Sequence, residues 1–184
     1  MKLSIEQFKD AVRENSIKVG DKLITEDIAG KAIFEVGDIR KNNIYMVRKY
    51  VLPDDYDKNH YEMDEFLNDD YLDSLPDELV EIMGERNEQK IFVPRFIEVF
   101  GDIDCSWADK GKGRQWEIFK KTKGKIRLSE NKYGRSRYWW LCSPYISSSA
   151  SFCLVDTSGT PYYSGAASAA LGLLPCFKVN RSLI

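Results

Sequence analysis

Residues 138–177 are the stretch of the sequence that most restricts the fold. These forty residues contain a single charged side chain, Asp156, although charged residues make up 30% of the whole chain. A strand buried on both faces would be rich in Val, Ile and Leu, and a flexible linker would not contain Trp139, Trp140 and Phe152. The composition therefore predicts a folded region whose surface carries Ser, Thr, Gly and Tyr, the residues that binding surfaces use.

Charge is strongly segregated in the rest of the chain. Residues 53–85 contain thirteen Asp and Glu and one basic residue, whereas residues 105–137 contain eleven Lys and Arg and three acidic residues. The formal net charge of the whole chain is only −2. The first interpretation is that two solvated faces of opposite charge pack near one another. The alternative is a nucleic-acid-binding module formed by residues 110–137, with cations on phosphates and aromatic rings on bases. Its side chains would be Trp107, Trp116, Tyr133, Lys110, Lys112, Arg114, Lys120, Lys121, Lys123 and Lys125.

The length and composition favour one self-sufficient domain. A chain of 184 residues with 43% hydrophobic residues can bury a core that needs neither a metal nor a disulfide. No apolar run approaches the roughly 18 residues of a membrane span, and the first residues lack the apolar core of a signal peptide. We therefore expect a soluble single domain over residues 1–184, with no membrane span.

The cysteine spacing argues against a metal or disulfide framework, because no C-x-x-C pair occurs. The four cysteines are Cys105, Cys142, Cys153 and Cys176. We expect reduced, mostly buried thiols that pack as small core residues.

Hydrophobic spacing predicts a mixture of helices and strands. Ser4 is placed to cap an amphipathic helix within an N-terminal region over residues 1–17. Two short helices follow between residues 63 and 83, separated at Pro76 and ended by Gly84. The predicted strands cover residues 22–25, 31–36, 44–51, 91–94, 138–141, 151–156, 160–163 and 173–179. Residues 31–51 read as one hairpin, and Asp156-Thr157-Ser158-Gly159 has the chemistry of a second hairpin turn.

Several short motifs, in a fixed order, resemble a domain family of gut bacteria and their phages. Its signature, W-W-L-R-S-P, F-x-x-V-x-x-x-G and G-V-R-P-x-F, is similar to residues 139–144, 152–159 and 172–177. Upstream, residues 64–71 are similar to its W-L-N-x-x-F helix, and residues 90–101 to its F-L-P-S-x-x-E-x-x-G motif. The resemblance covers roughly residues 18–180. Cys142 and Leu174 stand where the family has Arg, so a cation common to relatives is missing here.

The resemblance implies a fold. This family belongs with the C-type-lectin-like folds, which also include the formylglycine-generating enzymes. We therefore expect an α+β domain in which two helices pack on small antiparallel sheets. Residues 139–141 and 173–179 are expected in one sheet, within a C-terminal sheet region over residues 138–179.

The resemblance also implies a function. The group includes the variable proteins of diversity-generating retroelements, in which a reverse transcriptase rewrites adenine-bearing codons of a ligand-binding domain. We expect a non-catalytic protein that attaches a phage or cell to a host-surface protein or glycan, placed at a virion or cell surface. The alternative is that these residues are only the polar surface of an undiversified domain. The predicted ligand-binding residues, all between residues 145 and 171, are Tyr145, Ser147, Ser149, Ser151, Asp156, Ser158, Thr160, Tyr162, Tyr163 and Ser164.

Sequence patterns typical of catalysis are absent. His60 is the only histidine, which excludes a multi-histidine metal site, and its polar neighbours predict an exposed loop. No G-x-S-x-G motif occurs, and Gly111-Lys112-Gly113 lacks the rest of a phosphate-binding fingerprint. No sequence neighbour of Cys142 or Cys176 supplies a base, and Asp156 alone cannot hold calcium. We predict no enzyme activity, no cofactor and no metal.

Overall fold

The structure is a computed structural model that describes residues 1–129, 134–164 and 167–184. Its strands are β1 (Lys2–Leu3), β2 (Lys22–Asp27), β3 (Gly30–Ile39), β4 (Asn43–Arg48), β5 (Met83–Gly84), β6 (Ile91–Phe92), β7 (Trp139–Pro144), β8 (Phe152–Val155), β9 (Pro161–Ser164) and β10 (Cys176–Asn180). Its α-helices are α1 (Ile5–Arg13), α2 (Met63–Asn68), α3 (Asp70–Asp73), α4 (Asp77–Val80), α5 (Phe96–Phe100) and α6 (Thr122–Lys125). Short 3-10 turns cover Asp54–Tyr56, Glu117–Phe119 and Arg181–Leu183. The fold class is α+β, as expected.

The chain divides into two compact units, each built from separate segments. The first unit contains Met1–Lys49, Glu65–Phe92 and Pro175–Ile184, and the second contains Tyr50–Asp64 and Val93–Leu174.

A seven-stranded sheet forms the centre of the first unit. The strand order is β1-β2-β3-β4-β10-β5, and β6 also pairs with β10. All neighbours are antiparallel except β1 and β2. Alternate residues of β2 are buried, as the strand period of two requires, whereas the last three residues of the central strand β4 are all buried. The predicted hairpin of β3 and β4 is confirmed.

The N-terminal helix begins where its cap residue predicts. The Ser4 hydroxyl accepts a hydrogen bond from the Gln7 backbone N–H, and the Gln7 side chain accepts one from the Ser4 N–H. This reciprocal pair satisfies two donors that the first helical turn would otherwise leave unpaired. The helix buries Phe8, Ala11 and Val12.

The expectation that residues 139–141 and 173–179 share one sheet is wrong. β7 pairs with β8 in the second unit, whereas β10 pairs with β4 in the first. Gly172 still contacts β7, because its carbonyl accepts the Trp140 N–H at 3.1 Å. Pro175 has no N–H with which to continue a ladder, and the strand that follows it belongs to the other sheet.

The expected helix ending at Gly84 is also wrong. Gly84 lies in β5, opposite Lys178 of β10. The two predicted short helices are three shorter pieces, α2, α3 and α4, and Pro76 precedes the last of them as expected. The apolar periodicity of this region reflects burial of Leu67, Tyr71 and Leu79 rather than continuous helix.

The second unit contains a three-stranded antiparallel sheet in the order β7-β8-β9. Trp139 is opposite Val155, and Cys153 is opposite Tyr163. The indoles of Trp116, Trp139 and Trp140 are fully buried in this unit and are the largest fully buried side chains of the described residues. The predicted hairpin of β8 and β9 is confirmed. In the described part of the chain, no helix has the length and hydrophobicity to cross a membrane.

Candidate functional site

The turn between β8 and β9 is held together by the carboxylate of Asp156. The backbone N–H groups of Ser158 and Thr160 both donate to Oδ1, at 2.8 and 2.9 Å, and the Ser158 hydroxyl donates to the same oxygen at 2.7 Å. Burial alone would raise the pKa of Asp156, but the hydrogen bonds from Thr160 and Ser158 lower it below its usual value. Three of the predicted ligand-binding residues therefore hold the turn in its shape.

The loop between β7 and β8 divides the predicted serines into two kinds. Ser147 and Ser149 are exposed, as expected. Ser151 is only 4% exposed, so its prediction as an exposed contact residue is wrong. Its hydroxyl donates to the Ser148 hydroxyl at 3.3 Å, and its carbonyl accepts the Tyr145 N–H at 3.0 Å. These two hydrogen bonds tie Ser151 to Ser148 and Tyr145 and so close the loop. They also satisfy polar groups of Ser151 that burial removes from water.

Three predicted tyrosines form one stack. The ring centroids of Tyr145 and Tyr163 are 4.5 Å apart, and those of Tyr162 and Tyr163 are 5.6 Å apart, with interplanar angles of 23° and 16°. Tyr162 is 57% exposed and Tyr163 is 38% exposed. The indole of Trp107 extends the cluster, with its centroid 5.3 Å from that of Tyr163. We call these four side chains the aromatic stack.

An open groove of about 750 Å³ lies beside the aromatic stack and shares Tyr145 with it. One wall comes from the loop of residues 104–111 and the other from residues 144–149. The walls are joined by backbone hydrogen bonds, from Asp109 N–H to the Pro144 carbonyl at 3.0 Å and from Ile146 N–H to the Trp107 carbonyl at 2.9 Å. Its lining includes Tyr145 and Ser149, both predicted contact residues.

The thiols near this groove are protonated at neutral pH. Burial raises the pKa of Cys105, which lines the groove. Burial and the neighbouring Cys105 raise the pKa of Cys153 to about 12. A nucleophilic cysteine needs the opposite shift. Cys105, Cys153 and Cys176 are buried, as expected, and Cys142 is half-buried.

His60 does not lie in an exposed loop, contrary to expectation. Its ring stacks on Phe152, with centroids 3.4 Å apart, and meets Trp140 edge-on at 5.3 Å. Its Nε2 is 3.1 Å from the Leu141 carbonyl. Burial lowers the pKa of His60, so the ring is neutral at physiological pH. Sequence pattern missed this position because the aromatic partners are distant in the chain.

Within residues 105–129 and 134–137, the structure places the predicted stacking residues of the basic segment elsewhere than on a surface shared with its lysines. Trp116 is fully buried, Trp107 belongs to the aromatic stack, and Tyr133 lies outside the described residues. Lys110 pairs with Asp102 at 2.9 Å, and Lys120 pairs with Glu117 at 2.6 Å. The exposed cations include Lys112, Arg114, Lys121 and Lys123, whereas Lys125 is half-buried and burial lowers its pKa.

The predicted ligand-binding stretch includes residues that the structure does not describe. Gly165, Ala166 and the side chain of Ser164 lie outside the described residues. The described residues contain no cluster of three or more His, Cys, Asp or Glu side chains suited to a metal ion.

A family model with the description "Domain of unknown function (DUF6273)" matches residues 23–181. The chain belongs to the DUF6273 family. No curated protein and no solved structure matches it. The matched range of this DUF6273 domain contains both walls of the groove and the whole aromatic stack.

Sequence reasoning missed one wall of the groove in this DUF6273 domain. The sequence places Trp107 in the basic segment, whereas in the structure it lies against Tyr145 and Tyr163. The sequence pattern gives no role to Asp104 and Asp109, which line the groove. The available signal was an aromatic residue between acidic residues in a segment without periodicity. An aromatic residue in such a segment does not belong to the apolar face of a helix or strand, and it often lies at a surface that binds a partner.

Proposed function

We propose that this DUF6273 protein is a non-catalytic ligand-binding protein whose site is the groove together with the aromatic stack. The observation that carries the proposal is the exposure of Tyr162 and Tyr163 within an ordered stack, beside a groove of about 750 Å³. Tyrosine rings offer a large rigid contact area at low entropic cost, and they recur at the centres of binding interfaces.

The local framework supports a preorganised site. β9, which carries the two exposed tyrosines, pairs along its whole length with β8, and Asp156 holds the turn between them. The loop that carries Tyr145 is closed by Ser151. A side chain held in place before binding loses less entropy when a ligand arrives. The protonated thiols near the groove favour binding over nucleophilic chemistry.

The finer parts of the proposal rest on the resemblance described above. They are a C-type-lectin-like fold and a surface diversified by a retroelement. The partner would be a host-surface protein or glycan, and the result would be attachment of a phage or cell. A seven-stranded and a three-stranded sheet with short helices are compatible with an α+β fold. In this scheme Ser147, Ser149, Tyr162 and Tyr163 could vary, whereas Ser151 and Asp156 are structural.

Binding can be tested with a displayed library of random peptides and an array of glycans as probes. We expect binders of at least one class, and replacing both Tyr162 and Tyr163 by Ala weakens binding by roughly tenfold or more. The matched control is Tyr61→Ala, since Tyr61 is 64% exposed in the same unit but is not part of the stack or groove lining. Absence of any binder, or equal losses in both variants, contradicts the proposal.

Diversification has a separate test in the coding DNA. We expect a nearby near-identical repeat that differs at clustered adenines opposite the codons of the exposed loop residues, with a reverse-transcriptase gene beside it. Absence of both features removes diversification from the proposal and leaves the binding site to be judged by the peptide and glycan probes.

Nucleic-acid binding through residues 110–137 ranks below this function, because two of its three aromatic residues are committed elsewhere. Nucleic-acid binding can be tested by measuring the affinity for a random-sequence oligonucleotide at increasing salt concentration. We expect weak binding that does not depend on Lys121 or Lys123, and a steep salt dependence lost on replacing those residues contradicts this ranking.

A further inference from the structure

We propose that the groove recognises a basic segment of a partner protein, with a Lys or Arg side chain held between its acidic wall and Tyr145. This inference rests on the proposed function and specifies its ligand. It is drawn from the charges and apolar surfaces that line the groove.

The wall formed by residues 104–111 is acidic. Asp104 and Asp109 line the groove and are both exposed. Lys110 is the cation among the lining residues, and its ammonium group is bonded to Asp102 at 2.9 Å. Asp104 forms no ion pair within the described ranges of the chain. The lining therefore has two carboxylates and one ammonium group, a net charge of −1, which favours a cationic ligand group.

The opposite wall suits the rest of a Lys or Arg side chain. Tyr145 lines the groove while its ring stacks on Tyr163, and an aromatic ring attracts a nearby cation. Pro144 and Ile146 add aliphatic surface, and Ile146 is 62% exposed. Lys and Arg bury their apolar stems along such surfaces while their charged ends stay near carboxylates or water. Acidic and apolar walls facing one groove thus match both parts of these side chains.

Both walls are fixed relative to one another before a ligand binds. Ala108 and Tyr145 form an antiparallel bridge, reinforced by the backbone hydrogen bonds of Asp109 and Ile146. The Gly111 N–H donates to the Asp109 carboxylate at 3.1 Å and restrains its orientation. Gly111 adopts a φ of 73°, a conformation that glycine tolerates best. A fixed carboxylate beside a fixed ring reduces the entropic cost of capturing a side chain.

A protein segment fits these features better than the other ligand classes. Phosphate groups of nucleic acids would be repelled by the acidic wall, and neutral glycans offer no cation for it. A groove of about 750 Å³ is large enough for several side chains, within the usual range of roughly 300–1,000 Å³ for binding pockets. Peptide recognition through a charged anchor and an apolar surface is a common mode of protein binding.

The test uses the full chain and an array of short peptides of equal apolar content whose central pair is Lys, Arg, Glu or Gln. We expect the Lys and Arg peptides to bind roughly tenfold more tightly than their Glu counterparts, as an ion pair supported by an aromatic face would produce. The preference should shrink at high salt and vanish in the Asp104→Asn, Asp109→Asn double variant. Asparagine keeps the acceptor for the Gly111 N–H, so the loop stays intact.

A matched control removes the same net charge elsewhere in the second unit. Asp55→Asn with Glu62→Gln changes two exposed acidic residues that do not line the groove, and it should keep the full preference. Equal loss in both double variants overturns the inference. Binding of Gln peptides or glycans that requires Tyr145 but ignores Asp104 and Asp109 also overturns it while leaving the proposed function standing.

A second copy of the chain is the remaining occupant, because its own basic segment could enter the groove. We expect sedimentation to show no self-association that depends on Asp104 and Asp109. Concentration-dependent association that the double variant abolishes would overturn the assignment to a partner protein.

Discussion

The two units of the molecule use their polar and aromatic side chains in opposite ways. In the first unit, the side chains of Asp27, Arg48 and Tyr71 are fully buried, and they bond to one another. In the second unit, Tyr162 and Tyr163 stay exposed although the surrounding sheet has a large apolar core. The buried cluster stabilises one conformation of the first unit. The exposed tyrosines of the second unit leave aromatic surface that a ligand can contact. Binding function is therefore expected in the second unit.

The buried cluster of the first unit is specified by geometry. The Arg48 guanidinium donates to both carboxylate oxygens of Asp27, at 2.7 and 3.3 Å, and the Tyr71 hydroxyl donates at 2.7 Å. Burial and the adjacent Asp27 raise the pKa of Tyr71 well above its usual value, so the phenol remains a donor. A buried charge with this many partners is costly to leave unpaired.

Replacing Arg48 by Met has the largest expected effect. The variant leaves the Asp27 carboxylate buried without its cation, which costs about 3–5 kcal/mol of the free energy of unfolding. Urea unfolding followed by circular dichroism measures the change. The control is Arg13→Met, because the Arg13–Asp10 pair is exposed and should contribute less than about 1 kcal/mol. Similar losses in both variants would remove the contrast between the units.

Gly172→Ala tests whether the second unit depends on close packing instead of buried charge. A Cβ at this position would lie 2.5 Å from Cγ1 of Val51 and 2.6 Å from the Tyr138 carbonyl oxygen. Because a backbone atom cannot move aside cheaply, we expect a loss of about 1–3 kcal/mol in the same urea experiment. Gly84→Ala is the comparison, since its Cβ would meet the flexible Lys178 side chain at 3.0 Å. An unchanged midpoint for Gly172→Ala would show that the backbone relaxes there.

Local signals in the sequence predicted the N-terminal helix and the two hairpins, whereas sheet membership and the groove depend on long-range packing. The Ser4 cap and the Asp156 turn each act within a few residues, so their patterns were readable. The sheet that β10 joins depends on pairing with Val47, far away in sequence. The aromatic stack likewise brings Trp107 to Tyr145 across a long separation. Tyr145 could be predicted as a contact residue from composition, but the acidic wall beside it could not.

His60 gives a pH test of the second unit. Burial lowers the pKa of His60 below its ordinary value of 6.5, so the unfolded chain takes up a proton more readily. Its contribution to stability is therefore complete above about pH 6.5 and is lost as the pH falls towards the folded-state pKa, with a slope of at most about 1.4 kcal/mol per pH unit. In the His60→Gln variant, the free energy of unfolding should fall less steeply with decreasing pH between about pH 6.5 and the folded-state pKa of His60. An unchanged pH dependence in this variant would show that other groups cause the loss of stability at acid pH.

Tyr162→Ala has the smallest expected effect on stability and is the sharpest test of the contrast. The side chain is 57% exposed, and the strand that carries it remains paired with β8 through the backbone. Surface substitutions of this kind usually change the free energy of unfolding by less than about 0.5 kcal/mol. The same variant should lose part of the peptide or glycan binding, because its ring is offered to a ligand rather than to the core. Tyr71→Phe in the first unit should behave in reverse, with a measurable loss of stability and no change in binding, since it removes only the hydroxyl that donates to Asp27. If Tyr162→Ala instead destabilises the protein as much as Tyr71→Phe, the aromatic stack is part of the structural framework and the surface cannot be free for a ligand.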